Sequence, residues 1–137
     1  MATVEIVSFG FLHAAAPQAD VVLDLRRAFR DPHVNPRMRQ LTGRDRIVRR
    51  AVLGTPGIRQ LLAATTRQVQ AYASGPSADR IVIGSGCAGG RHRSVVVADQ
   101  LARRLRRRGH TVTVTHRDIR RPVVQRHPAI HTDSRSS

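Results

Sequence analysis

The segment from Ile81 to Ser94 constrains this chain more than any other. A β-branched run, Ile81-Val82-Ile83, feeds Gly84-Ser85-Gly86-Cys87-Ala88-Gly89-Gly90-Arg91-His92-Arg93-Ser94, and an apolar, arginine-studded stretch follows. Strand, glycine-rich turn and helix start is the arrangement in which main-chain N–H groups and a helix N-terminus cradle an oxyanion. Glycines at 89 and 90 let the backbone turn its donors inward, where side chains would obstruct. The surrounding pattern supplies a fold to hold this loop. Thr3 to Phe9 alternates as a strand, and Thr111 to Thr115 reads as a last one. Val21 to Leu25, apolar except for Asp24, has the composition of a buried strand in a parallel sheet. Helices are predicted over Asp45 to Leu53, Ile58 to Ala73 and Ser94 to Arg108. The second turns Ile58, Leu61, Leu62, Val69 and Tyr72 to one face; the third turns Val97, Ala98, Leu101, Ala102 and Leu105 inward. Gly109 is a natural cap after it. This order predicts an α/β fold, a single three-layer domain with a mostly parallel sheet, its ligand site at the C-terminal strand edge.

With 137 residues the chain holds one core, expected over 1–121, and the polar, histidine-rich 122–137 is expected to be a flexible tail. A lone cysteine, Cys87, allows no internal disulfide and fits a reducing cytoplasm. The histidines lack the cysteine partners of a structural zinc site, so neither a metal nor a cofactor is expected. No apolar run approaches a membrane span, and the N-terminus lacks a signal-peptide layout; the expected location is cytoplasmic. The net charge is +15, with 24 basic residues, all arginine, against nine acids. Genome composition can set the choice of arginine over lysine but not that imbalance, which points to a polyanionic partner. Three Phe, one Tyr and no Trp leave little to stack on bases, so contact with nucleic acid should run through phosphate.

Cys87 and Arg93 stand in the C-x5-R spacing, followed by Ser94, of protein-tyrosine-phosphatase and arsenate-reductase loops. There the thiolate attacks phosphorus while amides and a planar guanidinium hold the oxygens. As an enzyme the chain would use Cys87 as nucleophile, Arg93 as clamp and Ser94 to assist thiolate departure. It would also need an acid from Asp31, Asp45 or Asp118. Gly86 occupies the position where tyrosine phosphatases usually carry His, and a binding site ranks ahead of catalysis. A Walker A loop is excluded, because Gly90-Arg91 stands where Lys and Ser/Thr are needed. A second cluster, Asp24-Leu25-Arg26 with Asp31-Pro32-His33, would add a cation and a donor to the same edge. Asp24 is equally suited to be the buried partner of a structural arginine, and His33 to be a surface residue.

Taken together the motifs resemble the C-terminal domain of the RNase adapter protein RapZ family. The matches are Phe9-Gly10-Phe11, Asp20-x-x-x-Asp24-x-Arg26, Asp31-Pro32-His33, Leu41-Thr42-Gly43-x-Asp45, Gly86-Cys87-x-Gly89-Gly90-x-His92-Arg93-Ser94-Val95, Ala98-x-Gln100-Leu101-Ala102 and His116-Arg117. They run in order from about Val4 to about Arg121. The resemblance implies a non-catalytic regulatory module that senses a phosphorylated aminosugar such as glucosamine-6-phosphate and presents RNA to an endoribonuclease. Carried over by position, the ligand site would comprise Arg26, His33, Cys87, Gly89, Gly90, His92, Arg93 and Ser94, with Ala88 and Arg91 in the same loop. Ala88 stands where the family commonly has Thr, and Arg91 replaces Lys. RNA contact would fall to Arg117, Arg120 and Arg121. The arginines of the 94–108 helix have the weaker claim, since a charged run usually coats a solvated face. The family's full-length members carry a P-loop domain ahead of this one; the chain is expected to stand alone, and regulation by bound nucleotide does not transfer. Family C-terminal domains self-associate, which makes a homodimer the expected state.

Overall fold

Seven elements form in the order β1 (Thr3–Gly10), β2 (Val21–Asp24), α1 (Arg46–Leu53), α2 (Ile58–Ala73), β3 (Arg80–Cys87), α3 (Arg93–Arg107) and β4 (Thr111–His116). The computed structural model describes residues 2–29, 35–76 and 79–123. The strands lie in the order β2-β3-β1-β4 and every pairing is parallel. The α/β expectation holds, with a sheet that is wholly rather than mostly parallel.

Register explains which face is buried. Val4 and Ile6 stand opposite Ile81 and Ile83 on one side and Val112 and Val114 on the other, so they form one apolar sheet face. Onto it α3 lays Val97, Ala98, Leu101, Ala102 and Leu105, all buried as predicted, and α2 adds Ile58, Leu62 and Val69. Tyr72 departs from that stripe: it is 38% exposed, and its hydroxyl accepts from Gln68. Since α2 and α3 pack on each other as well as on β3, and α1 packs on both, the three helices share one side. Among the described residues the opposite side carries the 11–20 segment and no helix, while Thr3, Thr111, Thr113 and Thr115 lie exposed. The helical layers therefore number one where two were expected, because β1 reaches β2 through an irregular segment rather than a helix.

Two local expectations are corrected. Val21–Asp24 is an edge strand rather than an enclosed one; it pairs only with β3 and leaves Val22 44% exposed. The stretch Gly84-Ser85-Gly86-Cys87, expected in the loop, belongs to β3, held extended by ladders on both sides. Gly86 serves packing, not turning: a Cβ there would lie 2.4 Å from the Phe9 ring and 2.6 Å from that of Phe11. The loop proper is the short run between Cys87 and α3.

Candidate anion site

Gly10, Asp24, Cys87 and His116 all end at one sheet edge, as the pairings Gly10↔Cys87, Asp24↔Gly86 and Ser8↔His116 require. The loop after Cys87 leaves from this edge and turns at Gly90, whose φ of 75° favours glycine. A Cβ on Gly90 would stand 2.6 Å from the Gly10 nitrogen, and one on Gly10 would stand 2.5 Å from the Gly89 carbonyl carbon. These two turns touch backbone to backbone. Gly89 is different: its φ is not positive, and a Cβ there would meet nothing within 4 Å. The carbonyls of Cys87, Ala88 and Arg91 accept from the N–H groups of Phe11, Leu12 and Gly43. By contrast, the N–H groups of Ala88, Gly89, Gly90 and Arg91 have no acceptor among the described residues.

The side chains of the loop are braced from three directions. Cys87 is buried, and its Sγ–H donates to Ser94 Oγ at 3.2 Å; Ser85 Oγ in turn donates to the Ser94 carbonyl at 3.0 Å. Arg93 is 2% exposed, and its Nη1 donates to the carbonyls of Leu25, Arg26 and Phe29 at 2.8, 3.1 and 3.1 Å. A buried guanidinium needs such acceptors, and here they tie the turn after β2 to the start of α3. His92 is also buried, with Nε2 3.0 and 2.8 Å from the carbonyls of Met38 and Leu41; both partners are acceptors, so Nε2 carries a proton. Arg91 bridges the Gln40 carbonyl at 2.6 Å to those of Ile119 and Arg121, each at 3.2 Å. For Arg91 or Arg93 to serve as ligand cations as well, they must do so alongside these bonds. Long-range bracing of this kind has no local signal in the sequence.

Arg26 forms a two-point ion pair with Asp24, at 2.9 and 2.7 Å, and its guanidinium lies 3.7 Å from the Phe11 ring centroid. Asp24 is thus partnered by an arginine, though at the surface rather than in the core. The Arg26 hydrogen bonds hold its carboxyl below the usual carboxylate range. Phe11, to which no role was given, is the platform joining Arg26 to the Cys87 end of β3. The Arg26 carbonyl is tied to the run from Cys87 to Ser94 through Arg93, while its guanidinium is held by Asp24 and Phe11. His33 and Asp31 lie outside the described residues.

Behind the loop stands Asp118, fully buried, accepting from the Gly10 N–H at 2.8 Å, Arg117 Nε at 3.1 Å and Arg121 Nε at 2.9 Å. Burial pushes its pKa up, but the Gly10 N–H and the two guanidiniums together outweigh that and hold it below 3.8. Asp118 is therefore a carboxylate, not a proton donor for a leaving group. Asp45, the second acid considered, accepts from the Thr42 N–H at 2.7 Å. The three arginines assigned to RNA divide. Arg117 is a brace, donating to the Ala14 and Ala15 carbonyls at 3.2 and 2.7 Å and lying over Phe9. Arg120 and Arg121 are exposed, beside a groove of about 650 Å³ that Arg44 also lines. Sequence reasoning missed a relay of residues far apart in the chain: His116 joins Ser8 Oγ at 2.6 Å to Asp99 Oδ1 at 2.9 Å. Among the described residues no group of three or more His, Cys, Asp or Glu is placed to hold a metal ion. No described helix is long and apolar enough to cross a membrane.

Fold and site together define a small parallel α/β module with a short, amide-rich loop between its central strand and the helix that follows. The family model of the RapZ C-terminal domain matches residues 2–120, and the chain belongs to that family. It is similar to a nucleotide-binding protein of Thermobifida fusca, 40% identical over 119 residues, covering 85% of this chain and 40% of the relative. A nucleotide-binding protein of Rubrobacter xylanophilus is 42% identical over 125 residues, with the same 85% and 40% coverage. One from Symbiobacterium thermophilum is 40% identical, covering 88% of this chain and 40% of the relative. The chain spans about 40% of the length of these curated relatives.

Proposed function

We propose that this chain is a non-catalytic binding module, taking the phosphate of a phosphorylated aminosugar such as glucosamine-6-phosphate in the loop from Cys87 to Ser94. We further propose that it binds RNA at the adjacent basic edge through Arg120 and Arg121, as an RNase-adapter-type regulator. The observation that carries the first part is the run of four amides, Ala88 to Arg91, without acceptors beside the open space at Gly89. An oxyanion there would satisfy donors that otherwise depend on water. Arg26, on its Phe11 platform, supports a sugar-facing wall, and family membership supports the choice of ligand class. Nucleotide binding, the activity for which the longer relatives are named, is not extended to this loop, whose Gly90-Arg91 departs from the Walker A requirement.

Gly89→Ala tests the site cleanly, because the added methyl meets no protein atom. Titration calorimetry with glucosamine-6-phosphate should show binding to the parent and at least tenfold weaker binding to the variant, with unchanged thermal unfolding. Equal affinity for the two proteins, or no heat from the parent with either the sugar phosphate or inorganic phosphate, would overturn the reading. The phosphatase alternative has the Cys87–Ser94 pair in its favour. It lacks a free acid at Asp45 or Asp118. Turnover of an aryl phosphate, abolished by Cys87→Ser, would favour it.

A further inference from the structure

The outer side of the helical layer carries a groove that the loop chemistry does not use. It runs between α2 and α3, has a volume of about 530 Å³, and is walled by Arg59 and Arg67 on one helix and Arg103, Arg104, Arg107 and Arg108 at and just past the end of the other. On α2 the spacing is i, i+8, with Ala63 between; on α3 the four fall on successive turns of one face, which begins at Gln100. The floor is small or neutral, formed by Ala63, Thr66 and Gln100, and among the described residues no acid lines the groove. None of the six guanidiniums has a hydrogen bond or ion pair with a described residue. Arg106, on another face of α3, donates instead to the Val112 carbonyl.

Helix stability does not account for this arrangement. Arginines in the last turn of α3 suit the helix dipole, but Arg59 sits in the first turn of α2, where a cation opposes it. Arg103 and Arg107, like Arg104 and Arg108, are like-charge i, i+4 pairs, which weaken a helix. Six cations gathered without counter-charge into one trough need an anion with repeated charges. Among the described residues no aromatic lines the groove, so it offers phosphates a track and bases no platform.

We propose that this groove binds the phosphodiester backbone of a double-helical nucleic-acid segment, independently of sequence. It is a second contact, distinct from the edge that carries Arg120 and Arg121. The groove arginines Arg103 to Arg107 stand on the second half of α3, which begins at that edge, so about 15 to 20 Å separates the two contacts. A duplex, unlike a single nucleotide, can reach both.

The test is fluorescence anisotropy with a labelled 20-base-pair RNA duplex over 50 to 300 mM KCl. The proteins are the parent, a groove variant (Arg59→Gln, Arg67→Gln, Arg103→Gln, Arg107→Gln) and an edge variant (Arg120→Gln, Arg121→Gln). The groove variant should bind at least tenfold more weakly at 100 mM salt, with a log–log salt slope reduced by about 3 if each lost cation faced a phosphate. Its thermal unfolding should be no lower than the parent's. Parent-like affinity and slope in the groove variant, with loss in the edge variant, would overturn the groove and leave the RNA reading standing. No binding by the parent at the lowest salt would overturn both. Polyglutamate displacing the duplex as well as unlabelled duplex does, at matched charge, would make an acidic protein the partner and reject the proposal.

Discussion

The arginines of the sheet edge and those of the helical groove are the same side chain put to opposite uses. Arg91, Arg93 and Arg117 each hold two or more backbone carbonyls from distant parts of the chain. The groove arginines hold none among the described residues. Where water is excluded, a guanidinium is kept only if acceptors surround it, and its five donors then make it a cross-link between turns. Where water is present, an unpaired guanidinium adds nothing to the fold and repels its neighbours. Net charge alone does not separate the two populations; geometry does.

The contrast can be broken by substitution. The largest effect is expected from Arg93→Met, which strips three carbonyls of their donor and should cost about 3 kcal/mol in urea unfolding. A loss under 1 kcal/mol would mean the brace is dispensable. Because of this cost, Arg93→Ala reports on folding and binding together and is a poorer probe than Gly89→Ala. Next is Gly90→Ala, which forces an L-residue to φ near 75° against the Gly10 backbone and should cost about 2 kcal/mol. A neutral result would show that the two turns can separate. Asp118→Asn should cost about 1 kcal/mol at neutral pH and should also flatten the acid limb of the stability profile. Its folded pKa is depressed, so the contribution is complete above the unfolded value near 3.8 and fades as pH falls below that through the folded value. An unchanged acid limb would count against a buried, ionised Asp118. The smallest effect belongs to the groove: Arg103→Gln with Arg104→Gln should raise stability at low salt by a few tenths of a kcal/mol, by relieving i, i+4 repulsion. A measurable loss would place those side chains among the braces.

Much of the fold was legible because it rests on local pattern. The apolar periodicity of α2 and α3 and the cap at Gly109 gave helix limits within a residue. What failed depended on partners remote in the chain. Val21–Asp24 looks buried because Val21 and Leu25 are, yet its place at the edge follows from strand order, which composition does not encode. Gly84 and Gly86 look like loop residues until Phe9, Phe11 and Pro17 are seen lying across them. The loop motif was visible as residue types, whereas the carbonyls that Arg93 holds lie 64 to 68 positions away. The groove needed both helices in place before Arg59 and Arg67 could join the arginines of α3.

The contact of Gly10 with Gly89 and Gly90 has one more consequence. With no side chain between the two turns, nothing there can swivel, and the loop takes its shape from sheet geometry. A guest entering such a rigid socket surrenders little ordering free energy to it, so its capture should be fast, with selectivity set by rejection of poor fits.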